Sequence, residues 1–159
     1  MNPISEFRTR RTVEFADTDM AGIIHFSRYF VFMERAEHEL WNALGTSVHS
    51  PAGDYPDVVA EPGATIGWPR LEATCTFRRP VRFEDEVEIV VRVAAKGNRS
   101  LSFAVEFLHA GQTVAEGRLV TCCCVLESGR PPRAIPIPSA IADRLEVSPA
   151  LADATGDED

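Results

Sequence analysis

The spacing of apolar residues changes twice along the chain and predicts a strand, one long helix and then a series of strands. Between residues 7 and 15, apolar and polar side chains alternate, which is typical of a strand with one buried face. Between residues 27 and 44, apolar and aromatic side chains recur every three or four positions, which predicts a helix about 27 Å long. Gly45 follows this pattern and suits the C-terminal cap of the helix.

Four further alternating runs predict an antiparallel meander. They span residues 71–77, 87–93, 101–107 and 115–125, with turn-forming residues between them. The segment 46–69 is rich in glycine and proline, so it is predicted to be mostly a connection with a short extended piece at 58–61. Because a helix with a broad apolar face needs a sheet to cover it, we expect an α+β domain. In it, an antiparallel sheet of five or six strands curves around the long helix.

The end of the chain is predicted to be less regular. Prolines between residues 129 and 138 remove backbone donors and fix φ, so this stretch is not expected to form regular structure. A short helix is expected at 139–145. Residues 1–148 are interpreted as a single domain and the acidic residues 149–159 as a disordered tail.

Composition narrows the range of functions. The chain has 159 residues, 45% of them hydrophobic, which is enough for one buried core. Its formal net charge of -8 argues against nucleic acid and anionic membranes as partners. There is no apolar run of about 18 residues and no signal-peptide pattern at the N-terminus, so we expect no membrane insertion and a cytoplasmic location. The cysteines, at 75 and 122–124, have neither metal-ligand nor disulfide spacing, and no metal site is predicted.

The candidate chemistry lies in the loop that precedes the long helix. Asp19 comes three residues before Gly22, and the helix begins a few residues later. Unpaired N–H groups in the first helical turn, near Phe26 and Ser27, can bind an anion. Such a donor stabilises the oxyanion that forms when a thioester carbonyl is attacked. Asp19 can supply the other half of the reaction, as general base on water or as the attacking nucleophile.

Other interpretations of these residues stay open on the sequence alone. Asp17 and Asp19 can be loop carboxylates that accept turn hydrogen bonds. They can also be a fragment of a magnesium or calcium site, although Ile23 and Ile24 occupy positions where an EF-hand loop needs oxygen ligands. His25 can orient water or substrate, or it can be a polar wall residue.

Residues 15–30, FADTDMAGIIHFSRYF, resemble the active-site signature of the 4-hydroxybenzoyl-CoA thioesterase family of hotdog-fold proteins. Residues 32–36, the strand–turn–strand region at 77–93 and the stretch RPPRAIP at 130–136 also resemble that family, so the resemblance extends over most of the chain. It implies a hotdog fold, in which a curved antiparallel sheet wraps a long central helix. It also implies a homodimer or homotetramer whose active sites lie at a subunit interface.

The resemblance further implies roles for individual residues. The second aspartate of the family pattern falls on Asp19, so Asp19 rather than Asp17 is the expected catalytic carboxylate. The oxyanion-binding amide at the start of the helix falls on Phe26. The family varies at the position of His25, so a catalytic part for this residue stays open. The implied substrate is an acyl-CoA, and no metal or organic cofactor is expected beyond the coenzyme A that the substrate itself carries.

Substrate contacts are predicted around the site and at one hairpin. The residues in question are Gly22, Ser27, Tyr29, Trp68, Lys96, Arg99 and Ser100. The last three surround a turn where the family's nucleotide contacts map, so they are expected to bind coenzyme A phosphates, with an ordinary charged hairpin tip as the alternative. Aromatic residues near the motif suit an aromatic acyl group, although an aliphatic chain would fit nearly as well because apolar contact is not directional.

Three functions compete on the sequence alone. The leading one is an acyl-CoA thioesterase. A hotdog dehydratase or hydratase would need a histidine paired with a carboxylate, for which His25 with Asp19 is the only candidate pair. A non-catalytic acyl-CoA or acyl-carrier binding protein is the third. Replacement of Asp19 by Asn discriminates this last function, because a binder has no turnover to lose.

Overall fold

A computed structural model describes residues 2–152, which form two antiparallel sheets and one long helix. In chain order the elements are β1 (Glu6–Thr12), α1 (Phe26–Ala43), β2 (Ser50–Pro51), β3 (Thr65–Gly67), β4 (Arg70–Phe77), β5 (Glu86–Lys96), β6 (Ser100–His109), β7 (Gln112–Cys122), β8 (Cys124–Leu126), β9 (Arg133–Ala134), α2 (Ser139–Ala142) and α3 (Pro149–Ala152). The main sheet has five strands in the order β1-β5-β6-β7-β4, and the smaller sheet has four in the order β2-β3-β8-β9.

The meander predicted from the alternating runs forms most of the main sheet. Strands β5, β6 and β7 pair with their neighbours in sequence, with Val91 opposite Val105 and Val105 opposite Gly117. The β6–β7 connection is a tight turn in which Ala110 and Gly111 both have positive φ, as a short hairpin requires. The outer strands β1 and β4 then pair with β5 and β7. The alternation of side chains therefore predicted these strands, and the meander holds for β5, β6 and β7. The first of the four runs departs from it, because β4 pairs with β7 at the far edge and the other side of β5 is taken by β1.

The connection between α1 and β4 contributes to the second sheet, at a place other than the one predicted. The extended piece is β3, which pairs with β8 so that Ile66 lies opposite Val125 in the core. The expectation of an extended piece at 58–61 is wrong. Val59, in the middle of that stretch, is 88% exposed, whereas Ile66 is fully buried, and burial decides which segment pairs.

Helix α1 lies with one face against the main sheet. Its buried side chains are Tyr29, Phe32, Met33, Ala36, Glu37, Leu40 and Trp41. The buried carboxylate of Glu37 is not isolated, because it forms an ion pair with Arg70 of β4 and accepts a hydrogen bond from the Trp41 indole at 3.3 Å. The Met33 side chain of α1 packs directly over Gly117 of β7, which has no Cβ to hold it off.

The C-terminal part differs partly from expectation. The short helix predicted at 139–145 is present as α2, which is four residues long. The first four residues of the predicted tail, 149–152, form the helical turn α3, and residues 153–159 lie outside the described part of the chain. Within residues 2–152, no helix combines the length and apolar character needed to cross a membrane.

The contact at Gly117 gives a test of how tightly α1 packs on the sheet. A Cβ atom at this position would overlap Met33 Sδ and approach the Thr74 carbonyl oxygen at 3.0 Å. We expect Gly117→Ala to lower the free energy of unfolding by about 1–3 kcal/mol, because overpacking forces the helix or β4 to shift. Gly53→Ala is the matched control, since a Cβ there meets nothing within 4 Å. Equal denaturation midpoints for the two variants would contradict the close approach.

Candidate active site

The loop between β1 and α1 is fixed by the buried carboxylate of Asp17. Its Oδ1 accepts a hydrogen bond from Arg28 Nε at 2.7 Å, and its Oδ2 accepts one from the backbone N–H of Glu14 at 2.9 Å. The Asp17 carbonyl also accepts the backbone N–H of His25 at 2.8 Å. Asp17 is only 3% exposed and both of its carboxylate oxygens are engaged. Asp17 therefore fits the alternative interpretation, in which it is a loop carboxylate that accepts local hydrogen bonds.

Asp19 lies in the tight turn that follows. Its backbone carbonyl accepts the N–H of Gly22 at 3.0 Å, and its Oδ1 accepts the N–H of Ala21 at 2.8 Å. Gly22 has φ +76° and open space around its Cβ position, so glycine is favoured there by backbone conformation rather than by crowding. Among the described residues, Asp19 Oδ2 has no hydrogen-bond donor. One carboxylate oxygen thus makes turn hydrogen bonds, while the other is available to a ligand.

The first turn of α1 leaves one backbone amide free. His25 is the N-cap residue: its Nδ1 accepts the N–H of Ser27 at 3.2 Å, and its carbonyl accepts the N–H of Arg28 at 2.9 Å. Within residues 2–152, the N–H of Phe26 has no hydrogen-bond acceptor. Because the start of a helix carries a partial positive charge, this amide is a ready donor to an anionic oxygen.

Asp19 and Phe26 line two neighbouring depressions. We call the first the Asp19 cleft, and it is lined by Phe15, Thr18, Asp19, Met20, Ala21, Gly22, His25, Phe26 and Phe83. We call the second the Tyr29 cavity, which has a volume of about 360 Å³ and is lined by Asp19, Ile23, Ile24, Phe26, Tyr29, Phe77, Arg78, Arg79, Pro80 and Val81. The free carboxylate oxygen and the free amide therefore belong to residues that border both the cleft and a smaller, mostly apolar cavity.

Several aromatic side chains around the cleft are exposed. Phe15 and Phe83 are 80% and 48% exposed and contact each other edge to face, with ring centroids 6.2 Å apart. Phe26 is 61% exposed. Phe15 and Phe83 were not predicted as site residues. The signal that could have found them is that Phe83 lies in a predicted turn and Phe15 at the end of the predicted strand, next to the motif.

Two residues predicted to contact the acyl group are buried. Tyr29 packs on Phe77 and Phe107, at centroid distances of 5.2 and 5.1 Å, and borders the Tyr29 cavity. Burial raises the pKa of its hydroxyl to about 12, so Tyr29 is neutral at physiological pH. Trp68 stacks on Trp41 at 4.7 Å and lines neither depression.

The three residues predicted to bind coenzyme A phosphates lie at the β5–β6 hairpin, and none of them lines the cleft or the cavity. Lys96 Nζ donates to the carbonyls of Ala142 and Leu145, both at 2.9 Å, so its ammonium is engaged at the end of α2. Ser100 begins β6. The guanidinium of Arg99 is exposed and, among the described residues, has no hydrogen-bond partner.

A cysteine nucleophile receives no support from the geometry. Burial raises the pKa of Cys75, Cys123 and Cys124 to about 11, 12 and 11, so these thiols stay protonated near neutral pH. Among the described residues, the His25–Asp19 pair that a dehydratase would need is not formed either, because the His25 Nδ1 atom contacts Ser27 rather than Asp19.

Known proteins share this architecture. A family model described as the thioesterase-like superfamily matches residues 13–145. The 1,4-dihydroxy-2-naphthoyl-CoA hydrolase of Synechococcus elongatus is 26% identical over 145 residues, which are 91% of this chain and 98% of that protein. A solved gentisyl-coenzyme A thioesterase is 28% identical, with a TM-score of 0.68 and coverage of 85% of this chain and 98% of its own.

A 4-hydroxybenzoyl-CoA thioesterase solved with 4-hydroxybenzoyl-CoA has the same fold at 19% identity, with a TM-score of 0.74 and coverage of 90% of this chain and 100% of its own. These findings confirm the resemblance that residues 15–30 carry. The chain belongs to the thioesterase-like superfamily of hotdog-fold proteins and is a thioester hydrolase.

Proposed function

We propose that this protein hydrolyses an acyl-CoA thioester at the Asp19 cleft, with Asp19 as the catalytic carboxylate and the Phe26 N–H as the oxyanion donor. One observation carries the proposal. The free Oδ2 of Asp19 and the unpaired first amide of α1 belong to residues that line the same cleft, whereas Asp17 has both oxygens engaged. An attacking group and a preorganised N–H donor are the two parts that thioester hydrolysis needs.

The chemistry can proceed in either of two ways. As general base, Asp19 takes a proton from water while the water oxygen attacks the thioester carbonyl. As nucleophile, Asp19 attacks the carbonyl and forms an anhydride that water then opens. In both cases negative charge develops on the carbonyl oxygen, which the Phe26 N–H stabilises. The carbon–sulfur bond then breaks, and the thiolate of coenzyme A takes up a proton as it leaves.

The acyl group is proposed to be aromatic. The 1,4-dihydroxy-2-naphthoyl-CoA hydrolase at 26% identity and the gentisyl-coenzyme A thioesterase at 28% identity are named for aromatic acyl-CoA thioesters. The exposed rings of Phe15, Phe26 and Phe83 around the cleft support the same class, because an aryl group can stack against them. A bicyclic or monocyclic aryl-CoA is therefore the first substrate to try.

The coenzyme A phosphates are assigned to the β5–β6 hairpin. Arg99 carries this assignment, because its exposed guanidinium is unpaired among the described residues and can bind a phosphate oxygen in a bidentate manner. Lys96 would have to leave the Ala142 and Leu145 carbonyls to take part, and Ser100 would contribute its hydroxyl.

We also propose that two copies of the chain pair through the edge strand β4. Most of its residues are exposed, including Leu71 and Phe77, and Phe77 also lines the Tyr29 cavity. An exposed edge of this length is a ready surface for another strand. Pairing of two hotdog subunits at β4 would enclose the cavity and make each active site part of the interface. Helix α1, which contacts β1, β4 and β5, would be the central helix that the sheet wraps.

Loss of the carboxylate is expected to have different effects at the two aspartates. We expect Asp19→Asn to lower kcat for thiol release from aryl-CoA thioesters by at least ~10³-fold with little change in thermal stability, because it removes the base or nucleophile from an exposed turn. Asp17→Asn is the matched control. It should lower the free energy of unfolding by about 1–3 kcal/mol, because it weakens buried hydrogen bonds, and its kcat should fall by much less than that of Asp19→Asn at temperatures where the variant is folded.

The assay is release of free thiol from a panel of aromatic, branched and straight-chain acyl-CoA thioesters. Turnover that Asp19→Asn leaves intact would exclude Asp19 as the catalytic carboxylate. A folded parent protein that hydrolyses alkyl-CoA thioesters faster than aryl-CoA thioesters would contradict the proposed acyl class.

The outward-facing edge of β4 gives a test of the proposed pairing of two copies. The Arg78 N–H bonds to Val114 O and the Thr74 carbonyl lies towards Gly117, so the N–H of Ala73 points away from β7. Ala73→Pro would remove only this outward donor. We expect the parent protein to sediment as a dimer or tetramer and Ala73→Pro as a smaller species with reduced turnover, while Ala73→Ser behaves like the parent. Unchanged mass in the proline variant would exclude β4 pairing.

A further inference from the structure

We propose that His25 is a second hydrogen-bond donor to the thioester carbonyl oxygen, through its Nε2–H. This inference rests on the proposed function and deepens it by adding a catalytic group beside the Phe26 amide. Three features of the structure carry it: the engagement of Nδ1 at the helix cap, the fixed orientation of the ring, and the place of the ring in the Asp19 cleft.

The helix cap determines which ring nitrogen carries the proton. Nδ1 of His25 accepts the backbone N–H of Ser27 at 3.2 Å and lies 2.7 Å from the Ser27 hydroxyl oxygen, which can donate to it as well. A ring nitrogen that accepts a hydrogen bond from an amide does not carry a proton itself. The neutral imidazole therefore has its proton on Nε2. The start of α1 fixes the tautomer that makes His25 a donor at its other nitrogen.

The ring is also held in one orientation. Its cap hydrogen bonds fix the Nδ1 side, and the Phe26 ring lies against it at a centroid distance of 4.5 Å and an angle of 30°. The two nitrogens of imidazole point in widely different directions, so Nε2 is turned away from the helix backbone. Among the described residues, Nε2 has no hydrogen-bond partner. His25 lines the Asp19 cleft together with Asp19, Gly22 and Phe26.

A neutral donor suits the reaction. When the carbonyl is attacked, its oxygen becomes anionic and can accept hydrogen bonds from the Phe26 N–H and from His25 Nε2–H at once. No proton leaves the imidazole in this step, so His25 starts and ends neutral. When Asp19 acts as general base, the departing thiolate receives the proton that Asp19 took from the attacking water. When Asp19 acts as nucleophile, the thiolate takes its proton from solvent, and water regenerates Asp19 by opening the anhydride. A neutral imidazole that polarises a carbonyl in this way is an established type of electrophilic group.

Two substitutions separate the two functions of the ring. His25→Asn places an amide oxygen near the position of Nδ1, and asparagine is a good N-cap residue, so the cap is kept and the donor at Nε2 is lost. His25→Gln extends an amide N–H towards the position of Nε2 but is a poor N-cap, so the donor is kept and the cap is weakened. A residue with only a structural function cannot separate stability from turnover in this way.

We expect opposite orders for stability and turnover. His25→Asn should keep a Tm close to that of the parent and lose ~10²-fold in kcat with KM changed less than about threefold, as for loss of one oxyanion donor. His25→Gln should lose several degrees in Tm and keep kcat within about tenfold of the parent. All three proteins are assayed at a temperature where each is folded, with the aryl-CoA that the parent hydrolyses fastest.

Two results would overturn the inference about His25 without affecting the proposed function. One is a His25→Asn variant with the kcat of the parent, and the other is a pair of variants whose kcat values follow the same order as their Tm values. Both leave the proposed function intact, because the parent still hydrolyses the thioester and depends on Asp19. A folded parent protein without turnover on any acyl-CoA would instead overturn the proposed function and this inference with it.

Discussion

The ion pair between the buried carboxylate of Asp17 and the partly exposed side chain of Arg28 joins the loop to the first turn of α1, where the candidate site lies. Asp17 binds the loop backbone at Glu14, the side chain of Arg28 on α1 and, through its carbonyl, the N–H of His25. A buried carboxylate is stable only when such partners surround it, so the loop and the first helical turn must adopt this arrangement together. His25 is thereby held as the N-cap and the Phe26 amide is left as the free one.

The two aspartates of the motif thus have different environments although only one residue separates them. The first is buried and has both carboxylate oxygens engaged, and the second lies in a turn with one oxygen available. Two contacts join α1 and the loop to the rest of the fold. Met33 of α1 packs over Gly117 of β7, where no Cβ lies between them, and the Val81 carbonyl accepts the Ile24 N–H at 2.8 Å. The cleft itself is lined mostly by residues of the loop, with Phe26 from the start of α1.

The sequence alone predicted the strands of the main sheet and the helix, because alternation and helical periodicity follow directly from which faces are buried. The helix expected at 27–44 is Phe26–Ala43. Features that depend on distant partners were not predictable. The pairing of β3 with β8, the engagement of Lys96 by the end of α2 and the stacking of Trp68 on Trp41 all join residues far apart in the chain. The contact between Phe15 and Phe83 at the cleft also joins distant parts of the chain, although each residue lies at a predicted strand end or turn.

The most direct test of the proposed oxyanion donor is to remove the Phe26 N–H and keep every side chain. Incorporation of phenyllactic acid at position 26 exchanges this amide for an ester and keeps the side chain, Asp19 and the His25 ring. Steady-state thiol release from an aryl-CoA should then show kcat lowered by ~10²- to 10³-fold with KM almost unchanged, because one oxyanion donor is lost. An ester variant that is folded and turns over as fast as the parent would contradict the claim that the start of α1 stabilises the oxyanion.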